Sequence, residues 1–380
     1  MIRDAVGRLP GFARVLEPSS PVRRHVWRAQ RLLLRREGLA GVVPSARDYV
    51  ADELGEPERF VPLVASQAFN GSPGRTVGGE EALVAEGWRH EDWPAWRVSI
   101  PGGRVVGKQP LVLTDDRRAL RESAADQTQL LIHPAMDAGL RRAQRTPGRL
   151  LLLTGPWSWN WYHWLLDVLP RAALLPISED ADVRVLTPAK LTRAQEETLA
   201  LVGVHEERRY PYVGRHVVAD ELVFPSLIAP TGNPPRWALE WLRERLVGEP
   251  KRHDRRIYVS RADASMRRVA NESDLIPLLA ERGFETLLPG ELGLQDQLRA
   301  FAEAEVVLGP HGAGLANLCA SSRATVIELQ RRDDFRAAYF AQANAQGLEY
   351  WYLLCRPVGR WNLRVEIAEM ERTLDAAGID

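Results

Sequence analysis

A glycine-rich segment with one histidine, Gly309-Pro310-His311-Gly312-Ala313-Gly314, has the composition of an anion-binding turn. It follows a short apolar run that ends at Leu308, and it precedes a segment with the pattern of a helix. Glycines let the backbone approach a ligand closely, and the first N–H groups of a helix are free to bind an anion. We therefore predict a phosphate-binding site formed by His311, Gly312, Ala313 and Gly314.

A cluster of polar residues follows the apolar run at 256–260. Its members are Arg261, Arg267, Arg268, Asn271 and Glu272. The guanidinium group binds phosphate oxygens at two points, so these residues suit a diphosphate. A solvated basic loop is the alternative. The position of the cluster at the carboxyl end of a strand favours ligand binding.

A histidine and an aspartate lie four residues apart at His163 and Asp167. On a helix they share one face, where the carboxylate can orient the imidazole and stabilise its charge. Such a pair is a candidate general base. The tryptophan-rich residues just before it are predicted to bind an acceptor, because aromatic rings stack on sugars: Trp159, Asn160 and Trp161. A core helix with a hydrogen-bonded histidine is the alternative.

Two acidic signals lead to different predictions. Glu328 lies in the apolar run 325–329, where a carboxylate can accept both hydroxyls of a ribose. Asp180-Ala181-Asp182 matches the D-x-D pattern that binds divalent metal in some sugar-nucleotide enzymes. That motif should follow an apolar strand, but here it precedes the run at 183–186. We therefore predict no metal site.

Strand and helix patterns alternate through the second half of the chain. This alternation, with short connections, predicts a parallel sheet covered by helices on both faces. Ligands bind such sheets where the strand order reverses. Asn271 is expected to cap the helix that follows it, with Asp274 as the acidic partner. The first half is less regular, with a linker expected at 225–235 and a helix at 161–175, which Pro170 either kinks or divides by starting a second piece.

Bulk composition indicates a globular protein. The chain has 380 residues, with 45% hydrophobic and 26% charged, which favours two domains. Fifty basic and fifty acidic residues cancel, so nucleic acid is not an expected partner. Two cysteines, Cys319 and Cys355, are too few for a disulfide framework or a four-cysteine zinc site. Without a secretory signal or an 18-residue apolar run, we expect a cytoplasmic protein.

The segment 22–38 is basic and amphipathic. It has two interpretations. One is a helix lying on a membrane surface, which would make the protein peripheral to the inner face of the membrane. The other is a helix packed on the body of the protein with its arginines in solvent, and we favour this one.

The motifs together resemble those of family 61 glycosyltransferases, over about residues 150–354. The residues that carry the resemblance keep the order and spacing of several motifs: Asn160-Trp161-Tyr162-His163-Trp164, Asp167, Pro170-Arg171, Tyr258-Val259-Ser260-Arg261, Asn271-Glu272, Phe301-Ala302, Gly309 to Leu315, and Val326-Ile327-Glu328-Leu329.

The resemblance implies an α/β, GT-B-like fold with two Rossmann-like domains facing a cleft. Residues 1–230 would form the acceptor-binding domain, with 1–60 as a basic, partly helical extension. Residues 231–360 would bind the nucleotide sugar, and 361–380 would form a closing helix. The resemblance also places Arg261, Arg267 and the turn His311 to Gly314 at the diphosphate, Glu328 near the ribose, and His163 or Asp167 as the base.

The activity implied is an inverting, metal-independent transfer of a sugar. The donor would be a nucleotide-diphosphate sugar and the acceptor a glycan or lipid-linked glycan, in cell-surface polysaccharide biosynthesis. No cofactor is expected beyond the donor as co-substrate. The motifs do not specify the donor sugar, the acceptor or the oligomeric state.

Two other classes of protein are alternatives. A non-catalytic nucleotide-sugar sensor or scaffold would keep the arginines and the turn but lack a base. His163 and Asp167 argue against it. A nucleotide-dependent oxidoreductase would need G-x-G-x-x-G after the first strand of a domain, and the sequence does not place one there.

Overall fold

The structure is a computed structural model that describes residues 38–77, 89–124, 130, 133, 135, 139–179 and 183–380. Two predictions fall on other residues. The basic segment 22–38 is described only at Gly38, and Asp180-Ala181-Asp182 lies wholly outside the described residues. The predicted α/β class is confirmed, because helices surround sheets that are rich in parallel pairs.

The strands of the described residues are numbered β1 to β18 in chain order. They are Gly41–Val43, Phe60–Val64, Gln67–Asn70, Arg89–Asp92, Ala95–Pro101, Arg104–Val106, Leu111–Leu113, Arg118–Leu120, Gln144–Leu152, Arg184–Pro188, Arg209–Tyr212, Val217–Pro225, Arg255–Val259, Phe284–Leu287, Ala304–Pro310, Thr325–Arg331, Glu349–Val358 and Asn362–Arg364.

The α-helices of the same residues are numbered α1 to α8. They are Ala46–Asp48, Trp161–His163, Arg193–Leu201, Arg236–Leu246, Glu272–Glu281, Leu294–Ala302, Ala338–Gln346 and Ile367–Ala376. π-Helical turns follow α1 and α2, at Tyr49–Glu53 and Trp164–Val168. Short 3₁₀ helices lie at Pro57–Arg59, Arg121–Ser123, Leu169–Leu174, Glu206–Arg208, Pro289–Glu291 and Ala313–Ala320.

The first sheet has ten strands. Its main path runs β1-β8-β7-β6-β12-β9-β10-β11, and β5 pairs with both β12 and β2. The four strands β12, β9, β10 and β11 are parallel neighbours, whereas β5, β6 and β7 join through antiparallel pairs. The parallel part thus lies at one side of a mixed sheet.

The second sheet has six strands in the order β14-β13-β15-β16-β17-β18. All neighbours are parallel except β17 and β18. Because β14 lies on one side of β13 and β15 on the other, the strand order reverses between β13 and β15. The predicted strands of this half are confirmed, and their carboxyl ends form the crevice typical of a Rossmann-like α/β fold.

Three predicted local structures differ in the structure. Asn271 does not cap α5, because its side-chain amide exchanges two hydrogen bonds with the backbone of Val365, at 2.9 and 3.0 Å. The helix after the glycine-rich turn is a 3₁₀ helix over Ala313–Ala320. The helix expected at 161–175 changes from α to π to 3₁₀, and Pro170 lies in the first turn of the last piece, as in the alternative in which it starts a second piece.

One buried apolar cluster extends across both sheets. It includes Leu151 of β9, Trp164, Leu239 of α4 and Val307 of β15. The two sheets therefore share packing, which fixes the helical segment that begins at Trp161 against the second sheet. No helix of the described residues is long and apolar enough to cross a membrane.

Candidate active site

The segment that begins at Trp161 places His163 and Asp167 side by side. Asn160 starts it, with a side-chain oxygen that accepts a hydrogen bond from the Tyr162 N–H at 2.9 Å. His163 Nδ1 lies 2.7 Å from Asp167 Oδ2. When Nδ1 donates this bond, Nε2 is the ring atom that can accept a proton.

A second group holds the aspartate. The Thr231 hydroxyl donates to the same Asp167 oxygen, Oδ2, over 2.7 Å. Thr231 lies in the segment 225–235, which the sequence predicted only as a linker. No sequence signal connects Thr231 to Asp167, because the two are 64 residues apart and meet only in the folded chain.

The glycine-rich turn is built at the end of β15. Gly312 has an extended backbone, and the 3₁₀ helix begins directly after it at Ala313. Tyr339 donates a hydrogen bond from its hydroxyl to the Gly312 carbonyl at 2.5 Å. Burial raises the pKa of Tyr339 well above its usual value, with a further contribution from Glu328, so the phenol stays a donor. The turn is therefore held from the side of α7.

Arg261 lies directly against this turn. A Cβ built on Gly312 would stand 2.0 Å from Arg261 Nη1, so only glycine leaves room for the guanidinium. Its Nε and Nη2 donate to the Met266 carbonyl at 3.3 and 3.1 Å. Burial lowers the pKa of Arg261, and the neighbouring Arg267 acts in the same direction. Two arginines thus converge at the end of β13, an arrangement that a bound anion would stabilise.

Two cavities meet at the turn. The smaller, of 310 Å³, is lined by Arg261, Trp161 and apolar groups such as Val259 and Pro289. The larger, of 670 Å³, is lined by His163 and His311 together, with the residues Trp157, Trp159, Asn160, Tyr162, Thr231, Gly232, Asn233, Arg267, Phe335, Arg336, Ala337, Ala338 and Tyr339. Gly312 and Ala313 line both cavities.

A row of four rings connects the two histidines. His163 contacts Tyr162 at 5.4 Å between ring centroids, Tyr162 contacts Tyr339 at 5.7 Å, and Tyr339 contacts His311 at 5.2 Å. Burial raises the pKa of Tyr162 well above its usual value, and the charge of Asp167 adds to it. The structure thus brings the predicted base and the predicted anion turn to one cavity.

Four residues predicted to bind the nucleotide sugar line neither cavity: Glu328, Arg268, Asn271 and Glu272. Glu328 is fully buried, and its two oxygens accept hydrogen bonds from His311 and Tyr350, so it has no free oxygen for a ribose. Arg268 is exposed and lines neither cavity. Asn271 is bonded to Val365 as described above. Each of these is a correction. Tertiary partners occupy the polar atoms of Glu328 and Asn271, whereas the Arg268 side chain lies on the exposed surface away from both cavities.

Glu272 is also a supporting residue rather than a cavity residue. Its Oε1 accepts hydrogen bonds from Tyr258 at 2.7 Å and from Ser260 at 2.8 Å. It therefore fixes the end of β13, from which Arg261 projects.

The three residues predicted to bind an acceptor, Trp159, Asn160 and Trp161, do not all line the same cavity. Trp159 is 74% exposed at the rim of the larger cavity, and Asn160 lines the same cavity. Trp161 lines the smaller cavity instead, and its indole N–H donates to Asn317 Oδ1 at 2.8 Å. Trp161 thus departs from the predicted acceptor side and joins the side of the glycine-rich turn.

No cluster of three or more His, Cys, Asp or Glu side chains suited to a metal ion occurs in the described part of the chain. The arginines at the two cavities are Arg261, Arg267 and Arg336, and both His163 and His311 line the larger cavity.

These features define an α/β protein with a crevice, lined by arginines and a glycine-rich turn, at the reversal of its strand order. Residues 161–327 match the model of the family Glycosyltransferase 61, so the chain contains a domain of that family and is a glycosyltransferase. No curated protein matches the chain. The matched range holds His163, Asp167 and the glycine-rich turn.

Proposed function

We propose that this glycosyltransferase transfers a sugar from a nucleotide-diphosphate donor to a glycan or lipid-linked glycan, with inversion and without a metal ion. The observation that carries the proposal is that His163, which is bonded to Asp167, and the His311 turn line one 670 Å³ cavity, one on the side of each sheet. Family membership supplies the reaction class. A GT-B-like division of labour follows, with the acceptor on the side of the first sheet and the donor on the second.

The two cavities suggest how the donor lies. Gly312 and Ala313 separate them, and Arg261 and Arg267 flank that ridge. A diphosphate on the ridge would receive backbone N–H groups and guanidinium forks. The sugar then occupies the larger cavity, because the acceptor hydroxyl that attacks the anomeric carbon must lie within reach of the base His163. The nucleoside occupies the smaller cavity, whose walls include Val259, Pro289 and Leu315.

The chemistry is a single displacement. The acceptor hydroxyl gives its proton to His163 Nε2 while its oxygen attacks the anomeric carbon. The bond from that carbon to the phosphate oxygen breaks, and the diphosphate leaves from the opposite face, which inverts the configuration. Asp167 stabilises the imidazolium, and the arginines and turn amides stabilise the negative charge on the diphosphate.

Positive side chains take the place that a metal ion has in other transferases. Arg261, Arg267 and His311 surround the proposed diphosphate position. The fold positions these groups before the donor arrives, so little reorganisation is needed as the leaving group gains charge.

The acceptor side is aromatic. Trp159 is exposed at the cavity rim, and the Trp157 ring lies 5.2 Å from the His163 ring. Trp157 has a φ of 55°, a left-handed backbone that is strained for a bulky residue and is found most often at functional sites. Flat apolar rings beside the base suit the C–H face of a sugar, which supports a polysaccharide or its lipid-linked precursor at the cytoplasmic membrane face as the acceptor.

The donor is identified by thermal shift against a panel of nucleotide sugars, since a ligand that binds only the folded protein raises its melting temperature. His163→Ala and Asp167→Asn are then expected to reduce transfer by roughly 10²- to 10⁴-fold. Calorimetric affinity for the donor should stay within about twofold, because neither side chain touches the proposed diphosphate.

Thr231→Val is the matched control. It removes one hydrogen bond to Asp167 but leaves the His163 pair, so a loss of at most about tenfold is expected. Full activity in both His163→Ala and Asp167→Asn would place the base elsewhere.

A further inference from the structure

The proposed mechanism assigns no role to the carboxylate of Glu328. It is 0% exposed, and both oxygens are occupied. Oε1 accepts from His311 Nδ1 at 2.6 Å, and Oε2 accepts from the Tyr350 hydroxyl at 2.5 Å. Burial, and after it the negative charge of Glu328, raises the pKa of Tyr350 well above its usual value, so this phenol remains a neutral donor.

A buried carboxylate is costly unless a positive charge pairs with it. Tyr350 supplies a hydrogen bond but no charge. Of the two groups that the structure bonds to Glu328, only His311 can become a cation. Protonation of His311 would therefore neutralise the buried charge.

The same bond orients the histidine. Because Nδ1 faces Glu328, the opposite ring nitrogen, Nε2, is directed away from it, and His311 lines the larger cavity. No partner of Nε2 is present among the described residues. Nε2 is thus the ring atom available to a ligand beside Gly312.

We propose that Glu328 is a positioning residue that holds His311 as an imidazolium, and that His311 Nε2–H donates a charge-assisted hydrogen bond to the donor diphosphate. This inference rests on the proposed function, and it replaces the predicted contact of Glu328 with a ribose. The histidine would then carry charge that strengthens the grip on the leaving group.

Other charged and titratable groups also face His311. They are Arg261 and Arg267 on the loop after β13, Asp334, Arg336 and Tyr339 between β16 and the first turn of α7, and Tyr162, His163 and Asp167 from the first sheet's side. The two loop arginines oppose a third positive charge. The buried carboxylate of Glu328 offsets this repulsion. We therefore expect removal of this carboxylate to weaken ligand binding first at high pH.

The experiment measures affinity by calorimetry at pH 5.5 and pH 8. The probes are inorganic pyrophosphate and UDP, GDP, CDP and ADP. Glu328→Gln keeps the shape and removes the charge, so His311 should lose its proton by pH 8. We expect binding about tenfold weaker than wild type at pH 8 and within about twofold at pH 5.5, where the free imidazole is protonated.

Two variants complete the test. Tyr350→Phe removes a hydrogen bond to Glu328 but keeps the carboxylate charge, so its affinity relative to wild type should not depend on pH. His311→Gln can hydrogen-bond but cannot be protonated, so it should bind about tenfold more weakly at both pH values. This variant keeps the proposal testable if Glu328→Gln does not fold.

Two results would overturn the proposal alone. One is a wild-type affinity of Glu328→Gln or His311→Gln at pH 8. The other is a loss in Glu328→Gln that is equal at both pH values, since this would make Glu328 a purely structural residue. Failure of the proposed function looks different, because the wild-type protein then binds none of the nucleoside diphosphates at either pH, which overturns both.

Discussion

The two histidines that face the larger cavity differ in the burial of their carboxylate partners. The Asp167 side chain is 25% exposed, whereas Glu328 is 0% exposed. The partner of His163 thus reaches solvent, whereas the partner of His311 is enclosed. These surroundings suit the proton transfer proposed for His163 and the contact with the diphosphate proposed for His311. One residue type is thus suited to two roles by its surroundings.

The close approach of the Arg261 guanidinium to Gly312 leads to a testable prediction. Gly312→Ala should weaken nucleotide binding roughly 10- to 100-fold, because the new Cβ would displace the Arg261 guanidinium. The melting temperature should change little, since Gly312 has an extended backbone that alanine adopts and a flexible side chain can move away. Calorimetry with the donor found in the screen, together with thermal denaturation, checks both statements.

Gly314→Ala serves as the comparison. Its Cβ would lie 3.4 Å from Val259 and 3.5 Å from Pro289, which are ordinary contacts. Its loss of affinity should be much smaller. Equal losses in the two variants would show that the turn, and not the position of Arg261, decides binding.

Among the elements, the irregular segment after Asn160 matters most. Its π-helical turn, Trp164–Val168, carries Asp167, and such turns are frequent at functional sites. Arg171 anchors its 3₁₀ end, donating to the carbonyls of Thr154, Pro225 and Ser226 at 2.9, 2.8 and 3.1 Å. This guanidinium is fully buried, and desolvation lowers its pKa to about 10. The base is therefore mounted on a segment bonded to the ends of β9 and β12.

A hydrogen-bonded chain joins this segment to the 3₁₀ helix of the turn. Trp161 donates to Asn317, and Asn317 donates to Gln297 Oε1 at 3.0 Å. Trp161→Phe should lower the free energy of unfolding by about 1–3 kcal/mol, because it leaves a buried Asn317 oxygen without a donor. Urea denaturation measures the change.

Trp361→Phe is the control for that measurement. Trp361 is 41% exposed, so its replacement should stay within about 0.5 kcal/mol of wild type. Equal stability of Trp161→Phe and wild type would mean that water replaces the lost donor, and the chain of hydrogen bonds would then not join the two elements.

The buried tyrosines of both halves of the protein make the free energy of unfolding depend on pH in the alkaline range. Burial raises the pKa of six tyrosines above the ordinary value of 10: Tyr49, Tyr162, Tyr212, Tyr258, Tyr339 and Tyr350. Burial also raises the pKa of the Cys319 thiol to about 12. Above pH 10 the unfolded chain then binds fewer protons than the native chain, so the free energy of unfolding falls as pH rises.

Arg171 acts in the opposite direction. Its pKa is lowered in the folded state, so above pH 10 the native chain releases this proton before the unfolded chain does, which raises stability. Arg261, whose pKa burial also lowers, acts in the same direction as Arg171. These two arginines oppose six tyrosines, and the net effect is destabilising. Urea unfolding at pH 8, 9, 10 and 11 should show a plateau to about pH 9 and a decline beyond it. Constant stability to pH 11 would contradict the burial of these phenols.

Local sequence patterns were sufficient to predict the α/β class, the strands of the second sheet, the pair at His163 and Asp167, and the turn at His311. These depend on local patterns: apolar runs between short connections, a spacing of four residues, and glycines directly after a strand. The family resemblance also depends on such motifs, and the match over residues 161–327 confirms it.

Which polar atoms remain available to a ligand could be read from the tertiary structure but not from the sequence patterns. Glu328 and Asn271 have the residue types of ligand contacts, yet partners at Tyr350 and Val365 occupy them. Thr231 joined the site from a segment with no signal beyond its prolines and glycine. A hydrogen bond between distant residues forms only where the packed core brings their atoms together. The spacing of residues along the chain does not predict which atoms meet in this way.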